Sequence, residues 1–292
     1  MFDILGKIEE WFRGILIGCI MDNLSGMFDE INSGVGQIAV NVGKTPAAWN
    51  AGVFSMIQSL SDNVVVPIAG IILTFVLTYE LISMVMEKNN LHDFESFTIF
   101  RWIFKTFVAV YLVTHTFDIT MAIFDVAQYI VTQSAGIITG DTSINYATAL
   151  GDLTAVAVRI TAMGTGELLG LMVETLLLRL ATPILSLCIT LVLVGRMIEI
   201  YIYCSVGAIP FATMTNRDWG QIGSNYLRGL AALGLQGFFI MVCVAIYTVL
   251  IHEIGVAANL HLAIWSCAGY TVLLCFSLFK TGAVSKSILN AH

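Results

Sequence analysis

Long apolar runs alternate with short polar breaks along this chain. Residues 64–86, 97–115, 226–251 and 261–279 each supply the roughly 20 apolar residues that carry a helix across a bilayer. Residues 166–214 form a longer stretch, more than one crossing needs, interrupted by Pro183 and Pro210. No run before Val64 is long enough to span. There, Ile4, Ile8, Trp11, Phe12, Ile15 and Cys19 recur at helical spacing, with Asp3, Lys7, Glu10 and Arg13 on other faces, the pattern of an amphipathic helix. Its apolar side can lie in the membrane interface, pack on a neighbouring subunit, or cover the chain's own core. A weaker helical pattern covers 24–42, Gly43-Lys44-Thr45-Pro46 breaks it, and 49–60 reads as a short helix. Residues 1–62 are thus an N-terminal amphipathic helical region, and 63–292 a transmembrane helical domain.

Polar positions inside the apolar half add detail. The helical pattern of the second span continues past Phe117. Asp118, Asp125, Gln128 and Thr132 follow at intervals of seven, three and four, so they share one helix face. This extension is expected to leave the membrane core with that face toward water or a partner. Residues 136–165 read as a loop, with a short helix near 152–163. Ala231, Gly234 and Gly237 form a stripe of small residues that lets another helix approach closely.

Composition narrows the class. The chain is 58% hydrophobic and 11% charged, where a soluble domain carries about 25% charge. The fold class is all-α, a polytopic membrane protein with about five transmembrane helices. A net charge of -7 gives no basic surface for free-standing nucleic-acid binding. The six cysteines are scattered without C-x-x-C spacing and read as small core residues. Met1-Phe2-Asp3 is not basic, so insertion through the chain's own spans is expected, without a cleaved leader. Lys88, Arg101 and Lys105 flank one connection, Arg217 and Arg228 another, and Lys280 and Lys286 follow the last span. Arg159 stands alone in 132–167, and 252–260 has no Lys or Arg. The positive-inside rule puts the first three regions in the cytoplasm, giving a multi-pass cytoplasmic-membrane protein with its N-terminus out and C-terminus in. Residues 166–214 then cross once. A hairpin at Pro183 or Gly195 would make six spans and spoil the asymmetry.

Catalytic motifs do not form. No G-x-x-x-x-G-K-[ST] is present, and His252-Glu253 lacks the second histidine of a zinc helix because position 256 is Val. A non-enzyme is expected, with no cofactor beyond bound phospholipid. The intramembrane charges are the informative residues. Arg196 and Glu199, at i and i+3, share a face and read either as an inward-facing polar site or as an interfacial pair. Glu174 and Arg179 are five apart, about 140° around a helix, so each needs a partner elsewhere or, for Arg179, a snorkelling path.

Five stretches carry a family likeness: Asn89-Asn90-Leu91-His92-Asp93, Phe100-Arg101-Trp102-Ile103-Phe104-Lys105-Thr106-Phe107, Phe124-Asp125-Val126-Ala127-Gln128, Gly195-Arg196-Met197-Ile198-Glu199-Ile200-Tyr201 and Leu278-Phe279-Lys280-Thr281-Gly282. With them the chain resembles the TrbL-type polytopic proteins of conjugative type IV secretion systems, as carried by integrative conjugative elements of Gram-positive gut bacteria. The resemblance implies a non-enzymatic channel or scaffold subunit that helps a relaxase-bound single strand of DNA cross the cytoplasmic membrane. It implies a cyclic homo-oligomer in membrane lipid, other secretion-system subunits, and a separate ATPase. The alternatives are a small-solute channel or secondary transporter, or a structural membrane anchor; no internal repeat favours the transporter. In a ring, residues 166–214 would line the path. Asp118, Asp125 and Gln128 would form an acidic outer mouth, or dock on the N-terminal helix through Lys7 and Arg13.

Overall fold

In a computed structural model, the chain is described over residues 2–87, 96–141, 153–254 and 259–291. Its elements are helical throughout these residues: α1 (Phe2–Val42), α2 (Pro46–Trp49), α3 (Ala51–Leu60), a π-helical turn (Ser61–Val65), α4 (Val66–Glu87), α5 (Ser96–Thr114), α6 (Thr116–Asp141), α7 (Leu153–Thr161), α8 (Thr165–Val206), α9 (Ala208–Thr213), α10 (Gly220–Ile254) and α11 (Leu260–Ile288). Five helical runs are long and apolar enough to cross a membrane: Ala51–Met86, Phe97–Thr114, Thr165–Val206, Gly220–Ile251 and Leu260–Ile288. The chain is an all-α polytopic membrane protein.

The two N-terminal helical patterns fuse into one helix, α1. Its buried residues Ile20, Leu24, Met27, Ile31, Val35, Ile38 and Val42 follow a 4-3-4-4-3-4 spacing. That is an 11-residue repeat, about 3.67 residues per turn, so the apolar stripe runs almost straight down the helix. The next two helices are capped locally. Thr45 accepts the Ala48 N–H at 3.2 Å, and Asn50 accepts the Val53 N–H at 3.0 Å.

Proline shapes three elements. Pro67 has no N–H to offer the Asn63 carbonyl, and the π-helical turn immediately before it widens the helix there. The first apolar run therefore begins at Ala51, well before Val64. Pro183 likewise leaves the Arg179 carbonyl without its helical donor. The Thr182 hydroxyl lies 2.9 Å from the Leu178 carbonyl and 3.1 Å from that of Arg179, so its one proton is shared between them, and α8 runs on through Gly195 as one helix of 42 residues. No hairpin forms at either position. Pro210 gives no N–H to Val206, and there α8 ends; α9 follows after Gly207, so residues 166–214 are two helices.

Two further expectations are corrected. A turn at His115 separates α5 from α6 where an unbroken continuation was expected, although backbone bonds bridge it (His115 N–H to Tyr111 O and Ile119 N–H to His115 O, both 3.0 Å). Helix α6 also reaches Asp141, so residues 136–141 are helical. The Asn89–Asp93 stretch and the start of the 152–163 helix lie outside the described residues.

The chain forms two compact units, residues 1–42, 132–193 and 239–281, and residues 43–131, 194–238 and 282–292. In the first, α1 packs along α8 with both helices running the same way. Asn23 meets Thr175 (Nδ2 to Oγ1, 3.4 Å), Gly26 lies under Arg179, and Gly34 faces Ser186 and Ile189. Of the glycines in α1, Gly26 and Gly34 sit where α8 comes close. In the second unit, α9 packs on α4 and α5. The core there includes Leu73, Val113, Phe117, Met197, Phe211 and Leu233. Trp219 stacks on Phe75 and Tyr79 at 5.8 and 5.6 Å.

Candidate functional site

Charged side chains within apolar helices mark the positions to follow, because each is costly there unless paired or hydrogen-bonded. In the first unit, Glu174 Oε2 lies 2.7 Å from His261 Nδ1, tying α8 to α11. One turn on, Arg179 turns the other way. Its Nη1 donates to the Asp22 carbonyl at 2.9 Å. The guanidinium covers Gly26 so closely that a Cβ there would fall 1.3 Å from Nη1. A larger residue at 26 would make the guanidinium move off α1. Nearer the start of α1, Arg13 donates to the carbonyls of Thr161 and Met163 at 3.1 and 2.9 Å, and Thr165 donates to Glu9 at 3.2 Å.

The second unit holds the other expected residues. Arg196 and Glu199 share a helix but diverge. Arg196 is buried at 7% exposure, with Nε donating to the Leu233 carbonyl at 3.4 Å. Glu199 accepts from Lys286 Nζ on α11 at 2.6 Å. Lys105 and Glu80 pair α5 with α4.

The small-residue stripe on α10 faces two neighbours within the chain. A Cβ at Gly234 would stand 3.0 Å from the Ala127 Cβ. One at Gly237 would stand 2.9 Å from Arg196 Nη2 and 3.0 Å from Val131 Cγ2. Ala231 and Gly234 line an apolar cavity of about 270 Å³ with Ile123 and Ala127. On the polar face of α6, Asp118 and Asp125 are exposed. Gln128 is spent on structure, donating to the Gly43 carbonyl at 2.7 Å.

His261 and Lys286, the partners of Glu174 and Glu199, were not singled out by sequence reasoning. A signal was present: Glu174 and Glu199 are 25 residues apart, and so are His261 and Lys286. Two helices running in the same direction can then match their charges at both positions. Among the described residues, no three His, Cys, Asp or Glu side chains gather as metal ligands would.

A family match covers part of this architecture, including Glu174, Arg179, Arg196 and Glu199. A family model described as TrbL/VirB6 plasmid conjugal transfer like protein matches residues 31–208, more than half of the chain. The match runs from the second half of α1 to the start of α9. No curated protein matches, and no solved structure does.

Proposed function

We infer the role from family membership: the chain belongs to the TrbL/VirB6 plasmid conjugal transfer-like family and is a membrane component of a conjugal transfer system. Within that system it acts as a channel or scaffold subunit of the type IV secretion complex. It works as a cyclic homo-oligomer beside other secretion subunits and a separate ATPase, and helps the relaxase-bound strand cross the cytoplasmic membrane. It sits with its N-terminus outside and its C-terminus inside.

One observation carries the assembly reading. Helix α8 exposes apolar side chains along its whole length, from Leu169 and Val173 through Leu180, Ile184 and Leu191 to Ile202 and Val206. The stripe is about 55 Å long at 1.5 Å per residue. The hydrocarbon layer is about 30 Å thick. Even at a 40° tilt, the upper end of the usual range, the stripe would need about 42 Å. Lipid tails cover part of it, and on this reading protein covers much of the part that reaches into the headgroup layers.

The ion pairs support a clamping role for the charges. Glu174 and Glu199, like their partners on α11, are separated by about 37 Å of helix, close to the membrane's hydrocarbon thickness plus part of its headgroup layers. Charges at those two levels hold helices together and cost less than charges at mid-bilayer.

Cysteine crosslinking in native membranes tests the assembly. Ile184→Cys and Ile202→Cys, in a cysteine-free chain, should give a ladder of self-crosslinked species with a short bifunctional reagent. A chain that stays monomeric at both positions, while a lipid-soluble maleimide labels both fully, would put the whole stripe in lipid.

A further inference from the structure

In the first unit, α1 turns a polar face outward at the level where its neighbours turn apolar faces outward. Contacts fix that level. Asn23 meets Thr175, and Gly34 faces Ser186 and Ile189, so residues 23–34 of α1 run beside residues 175–189 of α8. Helix α11 runs along the same stretch, with His261 at Glu174 and Cys275 at the Leu185 carbonyl. There α8 bares Leu176, Leu180, Ile184 and Leu187, and α11 bares Leu262 and Leu273. Leu180 and Ile184 are each 64% exposed.

On α1 the exposed side chains over this stretch are Asp22, Asp29, Ser33 and Gln37. Among the described residues from 22 to 37, no apolar side chain of α1 is exposed. The four follow at intervals of seven, four and four, so they share one side of the helix. Gln37 donates to the Ser33 hydroxyl along that side at 3.4 Å. Ile20, Leu24, Met27 and Ile31 are buried on the opposite side. Asp22 and Asp29 each stand two positions from two of these buried residues, about 200° around the helix. If this side faced lipid, two carboxylates would stand in or near hydrocarbon, which is costly. Polar side chains at membrane depth face an aqueous cavity or polar groups of a partner. A ring with α8 on its inner wall would do the reverse, setting Leu180 and Ile184 against water.

We propose that α1 lines the aqueous path of the homo-oligomer, with Asp22, Asp29, Ser33 and Gln37 toward water and the apolar sides of α8 and α11 toward lipid and neighbouring copies. The inference deepens the channel reading above and rests on it. In a ring, Asp22 and Asp29 recur once per copy and make the wall acidic. Such a wall gathers cations and repels a bare phosphate backbone. A DNA strand then slides past it without adhering, its charge screened by the gathered cations.

Cysteine accessibility tests this in native membranes holding the full chain free of its own cysteines, opened so that reagent reaches both sides. Ser33→Cys and Gln37→Cys should react with a charged, membrane-impermeant thiol reagent at least tenfold faster than Ile184→Cys, while a lipid-soluble maleimide labels all three. In reconstituted vesicles, bimane on Ile184→Cys should be quenched by phosphatidylcholine brominated in mid-chain, and bimane on Ser33→Cys should not. In mating donors, loading Ser33→Cys with a bulky maleimide should lower transfer at least tenfold relative to the same variant before loading. Polar labelling of both α1 positions as slow as that of Ile184→Cys overturns the proposal, because it puts this side of α1 in lipid or a dry contact. Fast polar labelling of Ile184→Cys without quenching overturns it too, because the stretch would then stand outside the bilayer. Unchanged transfer by fully loaded Ser33→Cys donors takes α1 off the path. If deletion of the chain still abolishes transfer, that last result sinks this inference alone; if deletion leaves transfer intact, the channel reading fails with it.

Discussion

Replacing Gly237 with alanine is a sharp test of the packing around the buried arginine. The new Cβ would lie 2.9 Å from Arg196 Nη2 and 3.0 Å from Val131 Cγ2. Relaxed contacts between such atoms are about 3.5–4.0 Å. Both neighbours must therefore give way by a few tenths of an ångström or more. Overfilling a packed site costs about 1–3 kcal/mol. Arg196 is buried, and its bond to the Leu233 carbonyl is already long at 3.4 Å. Losing a hydrogen bond from a charged donor adds about 1.5–3 kcal/mol if the bond breaks. Alanine returns about 0.8–1 kcal/mol of helix propensity. The net effect is a loss of about 0–2 kcal/mol if the bond holds and about 1.5–5 kcal/mol if it breaks. Gly269→Ala is the matched control, since its Cβ meets nothing within 4 Å and only the propensity gain remains. Melting of both variants in one detergent should place Gly237→Ala below wild type and Gly269→Ala at or above it. If Gly237→Ala melts as high as Gly269→Ala, the arginine is not held against α10 as described.

Other expectations follow from single contacts. Thr182→Val removes the hydroxyl that replaces the missing proline donor and should destabilise by about 1–3 kcal/mol; adding Pro183→Ala, which restores an N–H, should recover most of the loss in the same melt, and no recovery would disprove the substitution of one donor for the other. Glu199→Lys should weaken the chain by no more than about 1 kcal/mol, as the pair with Lys286 is partly exposed, and the swap with Lys286→Glu should restore it; a swap that melts below both single variants would show that the pair is not what holds these positions. Topology is read by single cysteines labelled with an impermeant reagent on intact cells: position 259 should react from outside, while 217 and the C-terminus should not, and outside labelling at 217 would overturn both the orientation and the single crossing of α8.

Much of the fold was legible because apolar run length and Lys/Arg placement are governed by the membrane itself. The charges around residues 166–214 pointed to a single crossing, and α8 passes Pro183 and Gly195 without a hairpin. The ends of helices were less legible. Whether proline stops a helix depends on a replacement donor: Thr182 provides one at Pro183, and at Pro210 the helix ends. The length of α1 was hidden because the apolar spacing up to Cys19 and the weaker pattern of 24–42 read as two helices, and the stripe that joins them shows only where Ile20, Leu24 and Met27 are buried together. The charged residues were found, but their partners depend on which helices run side by side. Arg196 and Glu199 share a face in sequence, yet one turns to a carbonyl on α10 and the other to Lys286 on α11. Asp118 and Asp125 were grouped with Gln128 by spacing alone, and only Gln128 meets backbone, at Gly43.

The claim that this chain is a working part of a conjugal transfer machine is tested most directly by transfer itself. A donor strain with a clean deletion of the coding sequence is mated with a marked recipient, with and without the intact chain supplied in trans, while nicking at the transfer origin is measured in the same cells. The account predicts that transfer falls to the detection limit, that nicking continues at its usual level, and that the supplied chain restores transfer. Transfer at the parental frequency in the deletion strain would contradict it.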